Sequence, residues 1–512
     1  MSGANSLTLY WDIPDQRAEP ARGPADISPK AAEVIALICA SIVDLILWLS
    51  GAYAAVNILS PLLLVLIMGA GNWQLARRNP EALWTPIFAL RLSTLVFLGI
   101  GGLVPHLISQ EGVDYILDLF PYSPPEAAKT NAIWMISTTL MIIGAKTAAR
   151  FGWKPVREGD FARRDNVAVL GAVFYGVGLA FTLLFQLPAT LADTEIIIPG
   201  SISIALESFS AVGLFMIGLA AFRRGGVAIA GVFLLLIISI TLAILTLSKV
   251  MVLLPEIFLA LAYLMQGVNF RRATIVVVGM AATLFVFQPM ITYARAIQTT
   301  EYGGLVGGTV GSRLAYVGEF FSGDRLTADE ASEESLLRLT YMNSATFAVS
   351  RFDAGDPSDW PKQALISIIP RFIWPDKPLI SNAGSDLYYM LTGREGSFIG
   401  ATVGADVYWG LGWPGVAIIF PILGAMMMLG SNISYRIVIT RDWLKMPFVL
   451  LAFRIGLNVD QMFVGGFFAP VIIAIFAYWI LKAADMLMPN SNVRTPVALG
   501  ETGQRPNFGY RA

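Results

Sequence analysis

Val227 to Leu247 reads VAIAGVFLLLIISITLAILTL, a run of 21 residues without a single charge. At 1.5 Å per residue a helix of that length spans about 31 Å, the thickness of a bilayer's hydrocarbon core. A shorter run of the same kind, Phe468 to Leu481, lies near the other end of the chain. The whole sequence carries this signature. Of 512 residues, 56% are hydrophobic and 14% charged, against roughly 25% charged in a soluble domain. So much apolar surface cannot be hidden in a soluble core, and the composition predicts an all-α polytopic integral membrane protein.

Apolar runs bounded by charges and turn residues predict about twelve transmembrane helices. They fall near 31–50, 52–74, 82–104, 131–149, 166–187, 200–222, 226–247, 250–269, 273–293, 407–430, 446–463 and 466–483. The first 30 residues are polar and hold Pro14, Pro20, Pro24 and Pro29 without an apolar core. No cleavable signal is expected there, and the first membrane helix is expected to act as the insertion signal.

Orientation follows from the cations of the short loops. Arg77 and Arg78, the group from Lys146 to Arg164, Arg223 and Arg224, Arg271 and Arg272, and the group from Arg436 to Lys445 fall in alternate loops. The intervening short loops carry only Lys129 and Lys249. The expected layout is a cytoplasmic tail over 1–30, helices 1–9 over 31–293, a large extracytoplasmic loop over 294–405, helices 10–12 over 406–483, and a cytoplasmic tail over 484–512. Both termini are expected on the cytoplasmic side.

The large loop holds nine cations, from Arg295 to Arg394, on the side where short loops avoid positive charge. Helical patterning over Glu333 to Ser350 and Trp360 to Trp374 predicts that it is folded, and its Gly303 to Gly311 stretch reads as flexible. The net charge of -1 argues against a nucleic-acid partner. One cysteine, Cys39, excludes an internal disulfide or a cysteine metal cluster, and one histidine, His106, excludes a two-imidazole site. Neither a metal nor a cofactor is expected. Asp353, Asp356 and Asp359 read as a solvated acidic turn, and Gly303 to Gly311 lacks the Gly-Lys-Ser/Thr ending of a phosphate-binding loop.

The sharpest motif is Ile369-Pro-Arg-Phe-Ile-Trp-Pro-Asp-Lys-Pro378, in which three prolines and an aromatic pair hold Arg371 and Lys377. It reads either as an interface anchor with snorkelling cations or as a stiff anion clamp. Within the predicted spans, Asp44, Arg91, Glu207, Glu256, Arg454 and Asp460 are costly in lipid and are expected to face the bundle interior. Arg91 and Arg454 read as cavity-lining cations or as partners of one of those four acids. His106, at the exit of the third span, reads as an interface residue.

The Pro-Arg-x-x-Trp-Pro-Asp-Lys-Pro pattern, followed by GATVGADVYWGLGWPG over 400–415, resembles the Wzy-type polymerases of O-antigen and exopolysaccharide repeat units. The resemblance covers roughly residues 270 to 430. It departs in having Asp406 where Glu is expected and Trp409-Gly410 where Asn-Phe is more usual. It implies a GT-C-like membrane glycosyltransferase acting on oligosaccharides linked through diphosphate to a polyprenyl lipid, with flippase and chain-length regulator proteins as partners. On that reading Arg371 and Lys377 stabilise the diphosphate leaving group. Asp406 is the carboxylate base, with Asp376 either a second base or, favoured here, an ion-pair partner of Arg371 or Lys377. Arg313, Arg338, Arg351, Arg91 and Arg454 are the candidate substrate-binding cations. The alternatives are a ligase-like transferase, for which a loop histidine would be expected, a lipid-linked oligosaccharide flippase or transporter, and a noncatalytic subunit of an export complex.

Overall fold

The apolar runs have no water to satisfy their backbone groups, so each closes its hydrogen bonds on itself as helix. The computed structural model describes residues 27–119, 121–151, 167–192, 200–247, 249–302, 307–322, 336–337, 339–369, 374, 383–393 and 399–487. Among the described residues the chain is helical and contains no strand. In order, the helices are α1 (Ala31–Leu49), α2 (Tyr53–Arg78), α3 (Pro86–His106), α4 (Gln110–Leu119), α5 (Pro124–Ala148), α6 (Val167–Ala192), α7 (Gly200–Arg224), α8 (Val227–Leu245), α9 (Lys249–Leu264), α10 (Phe270–Tyr302), α11 (Val310–Ser322), α12 (Met342–Asp353), α13 (Trp360–Ile368), α14 (Ala383–Thr392), α15 (Val403–Ile439), α16 (Met446–Leu457) and α17 (Ala469–Leu487).

Each of the twelve predicted stretches contains a helix. Among the described residues seven helices, α1, α2, α3, α6, α8, α10 and α15, are long and apolar enough to cross a membrane. The protein is therefore a polytopic helical membrane protein. Its outer surface is apolar, as lipid requires: Val227, Leu234 and Ile237 of α8 and Ile35, Ile42 and Ile46 of α1 are exposed. Cys39 is exposed on the same face of α1.

Boundaries differ from expectation where a helix outruns its apolar window. The helix expected to end at 293 continues to Tyr302, carrying Arg295 on its last turns, and the last helix continues to Leu487. Intrahelical hydrogen bonds persist past the hydrophobic limit because nothing in the sequence stops them. Conversely, α16 stops at Leu457, so Asp460 sits in a short 3-10 turn, Asn458–Asp460, beyond the helix.

The helices form two packed groups. In one, α15 lies along α5 at a backbone-to-backbone crossing. A Cβ on Gly424 would stand 1.8 Å from the carbonyl oxygen of Met141, and one on Gly144 would stand 2.0 Å from that of Pro421. In the other, α6 and α7 cross through Gly171, Gly178 and Gly213, where a Cβ on Gly178 would meet the Ser210 nitrogen at 2.2 Å. Small residues at such crossings let helices attract by close van der Waals contact, since lipid offers no hydrophobic drive between them. Trp84 pins the groups together: its ring stacks on Phe258 at 5.1 Å and meets Phe215 at 4.2 Å and Phe453 at 5.8 Å. Its indole N–H donates to the Met265 sulfur at 3.1 Å.

α15 is not one straight helix. Gly412 adopts φ +59°, ψ −152° inside it, a conformation that only glycine takes without strain. The break leaves a short helical head, Val403 to Leu411, and this head is the floor on which the loop helices α12 and α13 rest.

Candidate functional site

The head of α15 is reached through Thr402, a β-branched residue held at φ +64°, ψ 147°. That region is nearly glycine-only and costs about 1–3 kcal/mol. Tertiary contacts hold it there. The Thr402 hydroxyl accepts from the Trp134 indole N–H at 2.9 Å, and the neighbouring Gly400 carbonyl accepts from the Ser344 hydroxyl of α12 at 2.7 Å. A side chain at Gly400 would collide with the Asp460 carbonyl, 2.1 Å away.

Asp406 lies one turn further on and is 1% exposed. Its Oδ2 accepts from the Phe463 backbone N–H at 2.7 Å, and its Oδ1 has no partner among the described residues. Trp360, the first residue of α13, covers it: the indole N–H donates to the Asp406 carbonyl at 2.8 Å, and the ring packs edge-on against Phe463 at 4.7 Å. Gly410 makes room for this cover, because a Cβ there would stand 2.0 Å from the Trp360 Nε1. Gly412 likewise leaves space for the Phe352 ring, 2.6 Å from where its Cβ would be. The glycines of GATVGADVYWGLGWPG therefore have a packing reason: they let the loop helices seat directly on the α15 backbone.

Asp460 is the second buried acid here, accepting from the Tyr341 hydroxyl at 2.9 Å and from the Gln461 amide at 2.9 Å.

At the rim, Lys129 of α5 forms an ion pair with Asp353 of α12 and lies 5.0 Å from the centre of the Tyr408 ring. The Tyr408 hydroxyl donates to the other Asp353 oxygen at 3.0 Å. Arg351 pairs with Asp356 and lies over the Phe347 ring, and it is about half exposed. The Ser350 hydroxyl donates to Glu126 at 3.1 Å. A mixed-charge cluster of acids, cations and aromatic faces thus lies on the Tyr408 side of the α15 head, while the Asp406 carboxyl meets Phe463.

The acidic turn is not one cluster. Asp353 goes to Lys129 and Tyr408, Asp356 to Arg351, and Asp359 to the Gln363 amide. Among the described residues, no group of three or more His, Cys, Asp or Glu converges on a point.

The predicted site residues fall into separate places. Asp406 and Arg351 belong to the region under α12 and α13. Arg371, Asp376, Lys377 and Arg338 lie outside the described residues. Arg313 is fully buried, and its guanidinium donates to three carbonyl oxygens, of Leu245 at 2.6 Å, Thr190 at 3.0 Å and Gly307 at 2.8 Å. It ties α11 to the ends of α6 and α8 and holds Gly307, within the stretch read as flexible, in place. Arg454 donates to the Ser208 hydroxyl of α7 at 2.8 Å.

Arg91 requires a correction. Its partner is none of the four acids expected within the spans but Glu33, on the first turn of α1, bonded through both oxygens at 2.8 and 2.7 Å. Glu33 sits at the polar margin of the first apolar run, so hydropathy gave no sign of its burial. Asp44, by contrast, faces the bundle interior as expected, with no exposure.

Sequence reasoning missed Tyr341 and Tyr408 as partners of carboxyl groups and Trp360 as a donor to the Asp406 backbone carbonyl, and it read Lys129 only as a stray short-loop cation. Their pairings span 46 to 224 residues of chain, and no local pattern reports such distances. Comparison of the chain with family models, curated proteins and solved structures found no match.

Proposed function

We propose that this protein is a membrane glycosyltransferase that polymerises polyprenyl-diphosphate-linked oligosaccharide repeat units into a surface polysaccharide. On this reading the chain crosses a bacterial inner membrane about twelve times in a GT-C-like arrangement, with both termini cytoplasmic and the loop over 294–405 outside. The observation that carries it is Asp406: a buried carboxyl with one oxygen unpartnered among the described residues, at the head of the helix that follows the large loop, roofed by that loop's own helices. The motif over 369–378 and the cation-rich loop supply the rest.

The reaction balances as a displacement. The acceptor sugar hydroxyl attacks the anomeric carbon of the growing chain, a new C–O bond forms, and the bond from that carbon to the diphosphate breaks. The proton passes to a carboxylate and the charge leaves on the diphosphate lipid. Arginine suits this leaving group because its planar fork gives two parallel hydrogen bonds to phosphate oxygens, and preorganised cations act where charge develops. Arg371, Lys377 and Arg351 are assigned that role and Asp406 that of the base. Trp360 covers Asp406, so the acceptor reaches it only after the indole leaves its seat on the Asp406 carbonyl, a gating step of the kind that loops perform.

The test uses purified protein in nanodiscs with lipid-diphosphate-linked repeat units. Wild type is expected to build a ladder of longer lipid-linked glycans. Asp406→Asn should slow it by about 10²–10⁴-fold, the usual worth of a general base, and Arg371→Ala should abolish it. A verified substrate that yields no ladder, with movement of that lipid across the bilayer instead, would replace this reading with transport. A ladder at wild-type rate from Asp406→Asn would remove Asp406 from the chemistry.

A further inference from the structure

Between the start of α1 and the end of α2 lies a cavity of about 280 Å³. It is far from the α15 head in sequence and shares no residue with it. Its floor is the Arg91–Glu33 ion pair, whose charges cancel through two short hydrogen bonds. Gly71 of α2 makes room for that pair, since a Cβ there would lie 3.2 Å from the Glu33 oxygen. The polar rim carries Lys30 and Arg78, both cationic. Toward the bilayer the walls become apolar, with Ala36 on one side and Leu66 on the other.

Leu66 is also 56% exposed on the outer face of α2, beside exposed Leu62 and Ile58. The cavity therefore opens onto the surface that meets acyl chains while its rim holds two positive charges. A cationic rim above an apolar cleft, at the end of two helices able to cross a membrane, complements an amphiphile with an anionic head. The geometry points to a binding site for an anionic phospholipid of the surrounding leaflet, its phosphate on Lys30 and Arg78 and the start of an acyl chain between α1 and α2. The volume suits this occupant: it falls just under the roughly 300 Å³ at which small-molecule pockets begin, enough for a phosphate headgroup but not for a whole lipid.

The neutral floor matters. A lone Glu33 would repel the phosphate, whereas paired to Arg91 it presents no net charge to it. Cations near a membrane surface attract anionic lipid additively, and the cleft confines that attraction to one place.

The experiment measures lipid retention by the purified full chain in detergent, by native mass spectrometry, with phosphatidylglycerol set against phosphatidylcholine. Wild type is expected to retain phosphatidylglycerol selectively. Lys30→Gln/Arg78→Gln should weaken that retention by about tenfold or more. Ala36→Trp, which keeps both charges but fills the cleft, should weaken it as well. Arg271→Gln/Arg272→Gln, the same charge loss elsewhere, should leave it unchanged, and millimolar inorganic phosphate should not displace the lipid. Equal retention of the two lipids, unchanged retention in the Lys30/Arg78 variant or in Ala36→Trp, an equal loss in the Arg271/Arg272 control, or displacement by phosphate would each overturn the assignment.

Discussion

Arg91 and Glu33 show what a buried charge does at the scale of single residues. Their side chains are 2% and 7% exposed and bonded through both carboxylate oxygens. Removing one partner leaves the other charged in a low-dielectric site, which costs about 3–5 kcal/mol. Arg91→Ala is therefore expected to lower the stability of the detergent-purified protein by that amount in thermal unfolding. The apolar double replacement Arg91→Met/Glu33→Leu should recover most of it, because two neutral side chains leave nothing unpaired. If the single variant melted like wild type, the pair would not be desolvated. The sequence marked Arg91 as a costly residue needing a partner, and that much was legible. The partner's identity was not, since it depends on α1 lying beside α3 and their register, which a one-dimensional pattern does not contain. Arg313 teaches the same lesson in reverse: listing it with the anion-binding cations was natural in sequence, yet its fork is filled by three backbone carbonyls.

At the scale of elements, glycine spacing decides which helices touch. The α5–α15 crossing brings Gly144 and Gly424 against carbonyl oxygens of the opposite helix, whereas Gly231 in α8 has nothing within 4 Å of its would-be Cβ. The two kinds of glycine should respond oppositely. Gly144→Leu forces a backbone separation and is expected to cost more than the ~1–3 kcal/mol of ordinary overpacking, read as loss of folded protein in size-exclusion and melting experiments. Gly231→Ala should raise stability by about 0.5–1 kcal/mol, the helix penalty of glycine relieved without a clash. Equal behaviour of the two variants would mean that the crossing is not formed. Apolar length made the helices legible one by one. The break at Gly412 was not legible, because Gly410, Gly412, Gly415 and Pro414 could equally have ended the helix; in the structure the chain continues as a bent helix whose head supports the loop.

At the scale of the whole molecule, the expected sidedness rests on cation placement, with the rim around α12 and α13 on the outer face. This has a direct check. In a Cys39→Ser background, a cysteine at the exposed Lys362 position should react with a membrane-impermeant maleimide in intact spheroplasts. Its counterpart in place of exposed Arg78 should react only after permeabilisation. The reverse pattern would invert the topology and put the α15 head, with Asp406, on the cytoplasmic side, where an outward-facing polymerase could not use it. Among the described residues, seven helices meet the length and apolarity of a membrane span by themselves. The other predicted spans, such as α5 with Lys129 and Lys146 and the 12-residue α16, are shorter or more polar and are held against their neighbours.

What the sequence determined by itself is the solvent in which the protein lives and the secondary structure that solvent demands. Composition and run length are sums over local residues, and a bilayer admits few answers to them. What only the tertiary structure decided is which groups meet: Glu33 with Arg91, Asp353 with Lys129 and Tyr408, Trp360 over Asp406, Arg313 on three carbonyls. Each of these joins residues from separate helices, and a hydrogen bond or ion pair a few ångströms long depends on the crossing and rotation of whole elements. Those are set by glycines and rings packing across the bundle, which leave no periodicity in the chain to read.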